Sequence, residues 1–366
     1  MPDEAPRKIE IEKLDKAMAA GGQGAGELTW RAPDTAPFEL TGFPWHARDR
    51  VYRRLPVKPA HPIREPVDNL AWCTAGGQIR FASDSPRVSV RVQLRAPAGM
   101  VHMPATGQCG FDLYVGPPEA VWYGNTTKYP IREDRYEIEL FKHADRAMRA
   151  FTLYFPLYQG VQSVELGLEP GARLEAPPAR AREGRVVVYG TSITQGGCAS
   201  RPGMCYTNIL SRALNLDFVN LGFSGNGKGE PELARLILEI EKPILYILDY
   251  EANTDLDGLK ATLDPFIRIL RETRPALPIL ALSRIPFAAD RIHADRAQAR
   301  IERRDFISAT VARLKREGDA NLHFLDGGEL LAVGGYEGTV DGVHPTDLGF
   351  WSMAQALEPV VRKLAR

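Results

Sequence analysis

The chain contains 366 residues, of which 46 are Lys or Arg and 46 are Asp or Glu, so its formal net charge at pH 7 is zero. With 44% hydrophobic and 25% charged residues it has the composition of an ordinary globular protein, and it generates no field that would draw it to nucleic acid or to an anionic membrane. No apolar run approaches the roughly 18 residues of a membrane-spanning helix, so neither nucleic acid nor membrane is an expected partner, and this length favours two domains.

The amino-terminal 26 residues mix charges along their whole length and end in glycine and alanine. A short helix is possible from Lys8 to Ala20, but the segment has little apolar surface to bury, and residues 1–26 are predicted to form a mobile arm or a packed appendage. The segment lacks the apolar core of a signal peptide. The sequence as written therefore predicts a cytoplasmic protein, although a secreted or periplasmic protein trimmed of its leader would look the same.

Residues 27–174 are predicted to form an antiparallel β-sandwich of the jelly-roll kind. Short runs of strand composition are separated by Pro, Gly and Asp, and the run VSVRVQL at residues 88–94 alternates apolar with polar side chains. No helical period competes with this pattern. The predicted strands are Gln78–Ala82, Arg87–Leu94, Gly110–Val115, Tyr136–Leu140, Ala150–Phe155 and Val161–Leu168.

The rest of the chain has a different pattern. Residues 170–183 are rich in Pro, Ala and Arg without periodicity, and the domain linker is placed at 175–184. Strand and helix patterns then alternate over 185–366, which predicts an α/β fold with a five-stranded parallel sheet in a flavodoxin-like three-layer α/β/α arrangement. The predicted strands are Arg185–Tyr189, Phe218–Leu221, Ile244–Tyr250, Ile279–Ser283 and His323–Leu325. The predicted helices are Met204–Leu214, Pro231–Glu241, Leu256–Glu272, Arg291–Arg316 and Thr346–Leu364.

The four cysteines, at positions 73, 109, 198 and 205, are too few and too scattered for a disulfide scaffold or a regularly spaced metal site. Cys198 and Cys205 are close enough in sequence to form a disulfide. Free thiols are the favoured alternative, because no leader directs the chain to an oxidising compartment.

Polar residues and glycines stand at the carboxyl ends of the predicted parallel strands, where such sheets place their ligands, or in the last loop of the chain. Because the carboxyl ends of parallel strands meet at one edge, these positions are expected to converge in space. They are Ser192 in YGTSIT, Gly225 in FSGNG, Asn253 in YEANT, and Asp341 with His344 in DGVHPT before the last helix.

This set of residue types suits nucleophilic catalysis. A serine hydroxyl needs a base to take its proton, and His344 is placed to do so, with Asp341 holding the imidazole in the required tautomer. The charge that develops on an attacked carbonyl oxygen needs donors already in place, and the candidates are the amides of Ser192 and Gly225 and the side chain of Asn253. Taken singly, Ser192 and Asn253 could each merely cap a helix.

These four blocks resemble, in order and spacing, those of the SGNH (GDSL-like) hydrolase superfamily. The sequence YGTSITQGGCASRPG and the upstream GFDLY at residues 110–114 are similar to the subfamily whose amino-terminal β-sandwich carries a GxDLY motif. Two blocks depart from the usual pattern: Thr191 stands where Asp is common before the serine, and Glu251-Ala-Asn-Thr254 replaces Gly-x-Asn-Asp.

The resemblance implies a serine esterase that needs no metal or cofactor and acts through an acyl-enzyme, with short acyl groups on carbohydrate, acetyl above all, as substrates. A lipid or aryl acylesterase or a thioesterase with the same site is the alternative enzyme. A catalytically inactive carbohydrate-binding protein is a third possibility, favoured by the altered third block alone.

Four further residues are candidates for contact with substrate. Arg201 and Cys198 follow the serine on its loop, and Glu251 belongs to the altered third block. His102 lies on a sandwich loop that could reach the cleft. For Arg201 a surface position is an equal alternative, and for His102 a structural role is the default.

Overall fold

The computed structural model describes residues 9–24 and 26–366. Of the predicted arm, residues 1–8 and 25, and with them the start of the predicted helix at Lys8, lie outside the described residues. The described part of the arm contains a short α-helix α1, Ile11–Leu14, and a 3₁₀ helix, Lys16–Met18. The carbonyl of Gly22 then accepts a hydrogen bond of 3.3 Å from the amide of Glu139, so this segment runs beside the strands described next.

Two antiparallel sheets pack face to face over the first half of the chain, as predicted. One has the strand order β1-β9-β4-β7 and the other the order β10-β3-β8-β5-β6, with β2 also paired to β3. The alternating run in β4 buries Val88, Val90 and Val92 between the sheets. The strands are β1 Thr29–Arg31, β2 Glu39–Thr41, β3 Gln78–Ser83, β4 Arg87–Leu94, β5 Asp112–Val115, β6 Trp122–Thr126, β7 Arg135–Lys142, β8 Arg149–Tyr154, β9 Val161–Leu168 and β10 Leu174–Glu175.

All six predicted sandwich strands are present, and four further strands and several short helices are additional. Strands β1, β2 and β10 have only two or three residues, too few to show a period, and β6 contains Gly and Asn, which are poor strand formers. Helices of fewer than two turns also show no period. They are α2 His46–Asp49, α3 Glu65–Leu70, α4 Ala105–Cys109 and the 3₁₀ helix Pro118–Ala120.

The second half of the chain is a parallel sheet with helices on both faces, which confirms the predicted fold class. Its strand order is β12-β11-β13-β14-β15. Alternate residues of β11 enter different cores: Val187 packs with the helices α7, α8 and α10, and Val188 with α6 and α11. The strands are β11 Arg185–Gly190, β12 Asp217–Gly222, β13 Pro243–Asp249, β14 Ile279–Leu282 and β15 Leu322–Leu325. The α-helices are α5 Ser192–Gln195, α6 Tyr206–Leu214, α7 Pro231–Leu238, α8 Leu256–Thr273, α9 Ala288–Ile292, α10 Ala294–Arg316 and α11 Asp347–Leu364, and the 3₁₀ helices are Pro202–Met204, Glu251–Asn253, Gly327–Glu329 and Gly335–Gly338.

One predicted helix differs from the observed ones. The segment predicted as Arg291–Arg316 is divided between α9 and α10, because His293 has extended backbone angles, φ −121° and ψ 112°. Within the described ranges, no helix combines the length and the apolar character that crossing a bilayer requires.

The sandwich and the parallel sheet are joined by buried polar contacts. The fully buried Arg54 donates to the carbonyls of Asn220 at 3.2 Å and Gly222 at 2.5 Å, at the end of β12. Burial lowers the pKa of Arg54 to about 10. The predicted linker follows this junction: Ala181 donates to the carbonyl of Asn215 at 3.0 Å, and Arg180 pairs with Glu39 at 2.9 Å. The sandwich is therefore held against the sheet edge where the polar residues gather.

Candidate active site

Ser192 is presented by a tight turn at the end of β11. Thr191 caps α5: its hydroxyl accepts from the amide of Ile193 at 3.3 Å, and its own amide donates to the hydroxyl of Thr194 at 3.3 Å. A Cβ at Gly190 would lie 2.0 Å from the Thr194 hydroxyl, so the turn needs glycine there. Ser192 thus becomes the first residue of a four-residue helix, with its backbone fixed by the strand.

A buried carboxylate that is not among the predicted site residues supports this turn. Asp249, at the end of β13, accepts hydrogen bonds from Thr194 at 2.8 Å and from the hydroxyl of Tyr206 at 2.9 Å. Burial raises the pKa of Asp249 to about 6, although both hydrogen bonds act to lower it. Asp249 therefore also holds in place the side chain of Thr194, which completes the cap of α5. In the sequence, the spacing Thr191-x-x-Thr194, which is that of a capping box, indicates the cap of α5.

His344 and Asp341 lie beside the serine. The Nε2 atom of His344 is 2.9 Å from Oγ of Ser192, and its Nδ1 atom is 2.7 Å from Oδ2 of Asp341. The other oxygen of Asp341 accepts the amides of Val343 at 3.0 Å and His344 at 2.8 Å. Burial raises the pKa of Asp341, but the hydrogen bonds from His344 outweigh it, and the pKa lies below its ordinary value. An ionised carboxylate therefore holds the imidazole.

Hydrogen bonds of Phe223 link the segments that carry the three candidate oxyanion donors. Its amide donates to the carbonyl of Gly190 at 3.0 Å, and its carbonyl accepts from the side chain of Asn253 at 3.2 Å. Gly225, two residues later, has φ +67°, and a Cβ there would meet open space. Among the residues that the structure describes, the amides of Ser192 and Gly225 donate to no protein acceptor. Both are available to a substrate oxygen.

Glu251 is buried and pairs with arginines. One carboxylate oxygen accepts the amide of Arg284 at 2.6 Å, and the other lies 2.9 Å from the guanidinium of Arg303. The residue is 2% exposed, and its burial raises the pKa of the carboxyl against the effect of the two arginines. The predicted contact of Glu251 with substrate therefore finds no support. Instead, buried ion pairs hold the altered third block, and Arg303 also donates to the carbonyl of Thr254 at 3.2 Å.

Arg201 is likewise occupied, by the GFDLY segment of the sandwich. It donates to the carboxylate of Asp112 at 2.8 Å and to the hydroxyl of Tyr114 at 2.6 Å, and it stacks on the ring of Tyr123 at 3.9 Å. Asp112 is fully buried and also accepts the amide of Gly203 at 2.7 Å. The loop that follows Ser192 is therefore clamped to the sandwich. Arg201 acts within that clamp, and it also lines a groove at the domain junction, so its predicted contact with substrate stays a prediction.

Cys198 and His102 do lie close to His344. The imidazole nitrogens of His102 and His344 and the sulfur of Cys198 lie within 4.8 Å of one another, and the two imidazole rings are 5.9 Å apart. His102 is exposed on a sandwich loop, so that domain forms a wall of the cleft. Cys198 is buried, which raises the pKa of its thiol to about 11. All four cysteines are free thiols.

Family models match both halves of the chain. Residues 183–362 match the GDSL-like lipase/acylhydrolase family, and residues 28–174 match the GxDLY model of the N-terminus of esterases of the SGNH hydrolase type. Together the two models cover nearly the whole chain. A comparison with the curated proteins gave no match.

Several solved structures share the fold of the whole chain. A GDSL-like lipase from Bacteroides ovatus ATCC 8483 is 27% identical, with a TM-score of 0.81 over 92% of this chain and 98% of its own. The salicylyl-acyltransferase SsfX3 of a tetracycline biosynthetic pathway is 23% identical, with a TM-score of 0.75 over 90% of this chain and 95% of its own. A family two carbohydrate esterase from Cellvibrio japonicus is 15% identical, with a TM-score of 0.58 over 93% of this chain and 98% of its own.

Proposed function

The chain belongs to the SGNH (GDSL-like) hydrolase superfamily and is a carboxylic ester hydrolase, and we propose that it cleaves short acyl esters of carbohydrate with Ser192 as nucleophile. The observation that carries this proposal is the continuous hydrogen-bonded chain from Ser192 through His344 to Asp341, with distances of 2.9 and 2.7 Å. Distances of this size are those at which a base takes the proton of a nucleophile.

The reaction proceeds in two halves. The Ser192 oxygen attacks the acyl carbon while its proton passes to Nε2 of His344, and Asp341 stabilises the imidazolium that forms. Collapse of the tetrahedral intermediate breaks the bond to the alcohol, which leaves with the proton from His344. Water then repeats the sequence on the acyl-enzyme and releases the carboxylic acid.

The amides of Ser192 and Gly225 and the side chain of Asn253 receive the developing oxyanion. The two amides have no other acceptor in the described chain, and the second N–H of Asn253 remains free beside its bond to Phe223. Donors fixed in advance by strand ends and a capped turn need no reorganisation when charge develops, which is the most effective form of such stabilisation.

Two observations support a carbohydrate as the alcohol. The likeness in fold extends to carbohydrate esterases over nearly the full chain. A groove of about 410 Å³ also lies at the domain junction beside the Arg201 clamp, and its walls do not include Ser192 or His344. Tyr123 and Trp351 on these walls are 41% and 47% exposed. Exposed aromatic rings next to polar groups are suited to the apolar faces and hydroxyl edges of sugar rings.

An aryl acyl ester is the second candidate substrate. The fold is more similar to the salicylyl-acyltransferase, at a TM-score of 0.75, than to the carbohydrate esterase, at 0.58. The same serine and histidine would form an aryl acyl-enzyme, and the two candidates differ only in the acyl pocket and the acceptor alcohol.

Rates with p-nitrophenyl esters test the proposal. We expect the wild type to hydrolyse the acetate faster than the butyrate, octanoate or benzoate, and Ser192→Ala to abolish turnover of all four. Ser163→Ala, an exposed serine of β9, is the matched control and should retain the wild-type rate. A preference for benzoate would favour the aryl candidate. Acetate release from a panel of acetylated oligosaccharides then identifies the sugar, and release from none of them would contradict the carbohydrate assignment.

A further inference from the structure

Three potential metal ligands from separate parts of the chain meet at the mouth of the candidate active site. They are a ring nitrogen of His102 from the sandwich, the sulfur of Cys198 from the serine loop and a ring nitrogen of His344, and these atoms all lie within 4.8 Å of one another. We propose that the three residues form a site for Zn²⁺, and that occupation of this site inhibits the esterase by taking its general base.

The ligand types favour this ion. Imidazole nitrogen and thiolate sulfur are the ligands that Zn²⁺ prefers, at about 2.0–2.3 Å, and bound ligands then lie somewhat closer together than 4.8 Å. The adjustment falls to His102, because its side chain is exposed on a loop, whereas Cys198 is buried and its amide donates to the carbonyl of Pro345 at 3.0 Å. The Ser192 hydroxyl or a water supplies the fourth ligand.

Asp341 is placed where a carboxylate would support His344 as a metal ligand. It accepts Nδ1–H of His344 at 2.7 Å and is itself fixed by two backbone amides. Histidines that bind metal usually donate their second N–H to a carboxylate in this way, which orients the ring and makes the free nitrogen a better ligand. The arrangement that prepares Nε2 of His344 to accept a proton from Ser192 therefore also prepares it to bind a cation.

Because Nδ1 of His344 is held by Asp341, the metal takes Nε2, the nitrogen that also accepts the serine proton. When Zn²⁺ binds, the Cys198 thiol loses its proton to solvent, and the lone pair of His344 that would accept the serine proton is shared with the metal. Ester hydrolysis then stops without any change in the fold. This inhibitory effect rests on the proposed function, whereas the binding of the metal does not.

A titration with Co²⁺ followed by visible absorption tests the binding independently of activity. We expect a thiolate-to-metal charge-transfer band and tetrahedral d–d bands, both lost on addition of Zn²⁺, which binds more tightly. Cys198→Ser should remove the charge-transfer band, and His102→Ala should weaken binding about tenfold or more. His143→Ala, another exposed histidine of the sandwich, and Cys109→Ala are the matched controls and should bind as the wild type does.

A parallel assay measures inhibition of p-nitrophenyl acetate hydrolysis by Zn²⁺, with each variant compared with its own metal-free rate. We expect reversal by EDTA in the wild type, and inhibition that requires about tenfold or more Zn²⁺ in the Cys198 and His102 variants. Absence of the charge-transfer band, or equal inhibition of all variants, would overturn the proposal. A protein without esterase activity would contradict the proposed function, and the Co²⁺ titration would still decide the metal site.

Discussion

Asp112 of the sandwich accepts a hydrogen bond of 2.8 Å from Arg201 of the serine loop, although 89 positions separate the two residues in sequence. The carboxylate is fully buried, and its burial raises the pKa of the group while Arg201 acts to lower it. The GFDLY segment therefore contributes to the candidate site indirectly, by fixing the loop that follows the nucleophile.

Asp112→Asn removes the negative partner of this buried pair and leaves Arg201 without its counter-charge. We expect a loss of about 3–5 kcal/mol in the free energy of unfolding, measured by urea denaturation, and a lower kcat in the folded variant. Glu183→Gln breaks an ion pair with Lys242 that lies on the surface, and it should leave both quantities nearly unchanged. Equal stability of the two variants would show that the clamp contributes nothing.

Asp341→Asn keeps the base, His344, but removes the carboxylate that orients it, so this variant tests the orientation alone. The amide cannot hold His344 in the tautomer whose Nε2 accepts the serine proton, so we expect kcat for p-nitrophenyl acetate to fall about 10³-fold to 10⁴-fold with little change in KM. Asp257→Asn, on the exposed face of α8, serves as control and should keep the wild-type rate. A loss of less than tenfold in Asp341→Asn would contradict the assigned role.

Gly225 and Gly171 offer a matched pair of substitutions. Both have positive φ, +67° and +73°, and an added Cβ would meet open space at either. Alanine should therefore destabilise the protein at both positions by about 1 kcal/mol through backbone strain. Only Gly225→Ala is expected to lower kcat as well, because it displaces an oxyanion donor. Similar kinetics of the two folded variants would argue against that donor.

The raised pKa of Asp249 predicts that the stability of the fold depends on pH. Its pKa is raised from 3.8 to about 6 by burial, so the folded protein binds a proton more tightly than the unfolded chain does. The contribution of this group to the free energy of unfolding is complete below pH about 4 and is lost as the pH rises through about 6. The whole change is about 3 kcal/mol. Asp249→Asn keeps an acceptor for Thr194 and Tyr206 but cannot titrate, so its Tm should fall less than that of the wild type between pH 4 and 7. Parallel Tm profiles of the two proteins would contradict this assignment.

The alternation of strands and helices after residue 184 predicted the parallel sheet to within a few residues, because β-branched strands and amphipathic helices have distinct periods. The family resemblance followed from four short blocks in order, and both family models confirm it. The sequence could also place Ser192 and His344 at one edge, since all parallel strands end on the same side. The catalytic roles themselves remain predictions.

The contacts of individual polar side chains could not be predicted. Nothing near Glu251 in sequence indicates that Arg284 and Arg303 will surround it, and the partners of Arg201 lie in the other half of the chain. The same holds for the meeting of His102 with Cys198, which follows no metal-binding spacing. Such pairings depend on how the sandwich packs against the sheet edge. Contacts between segments so far apart in sequence leave no periodic pattern near either residue.

Trapping of the acyl-enzyme is the most direct test of the central claim, that Ser192 is the nucleophile. The wild-type protein is mixed with p-nitrophenyl acetate, quenched in acid and digested, and the peptides are analysed by mass spectrometry. We predict one acetyl group on the peptide that contains Ser192, located on that residue by fragmentation, and no acetyl group there in Ser192→Ala. Turnover with acetyl found instead on Cys198, or undiminished turnover by Ser192→Ala, would contradict the account.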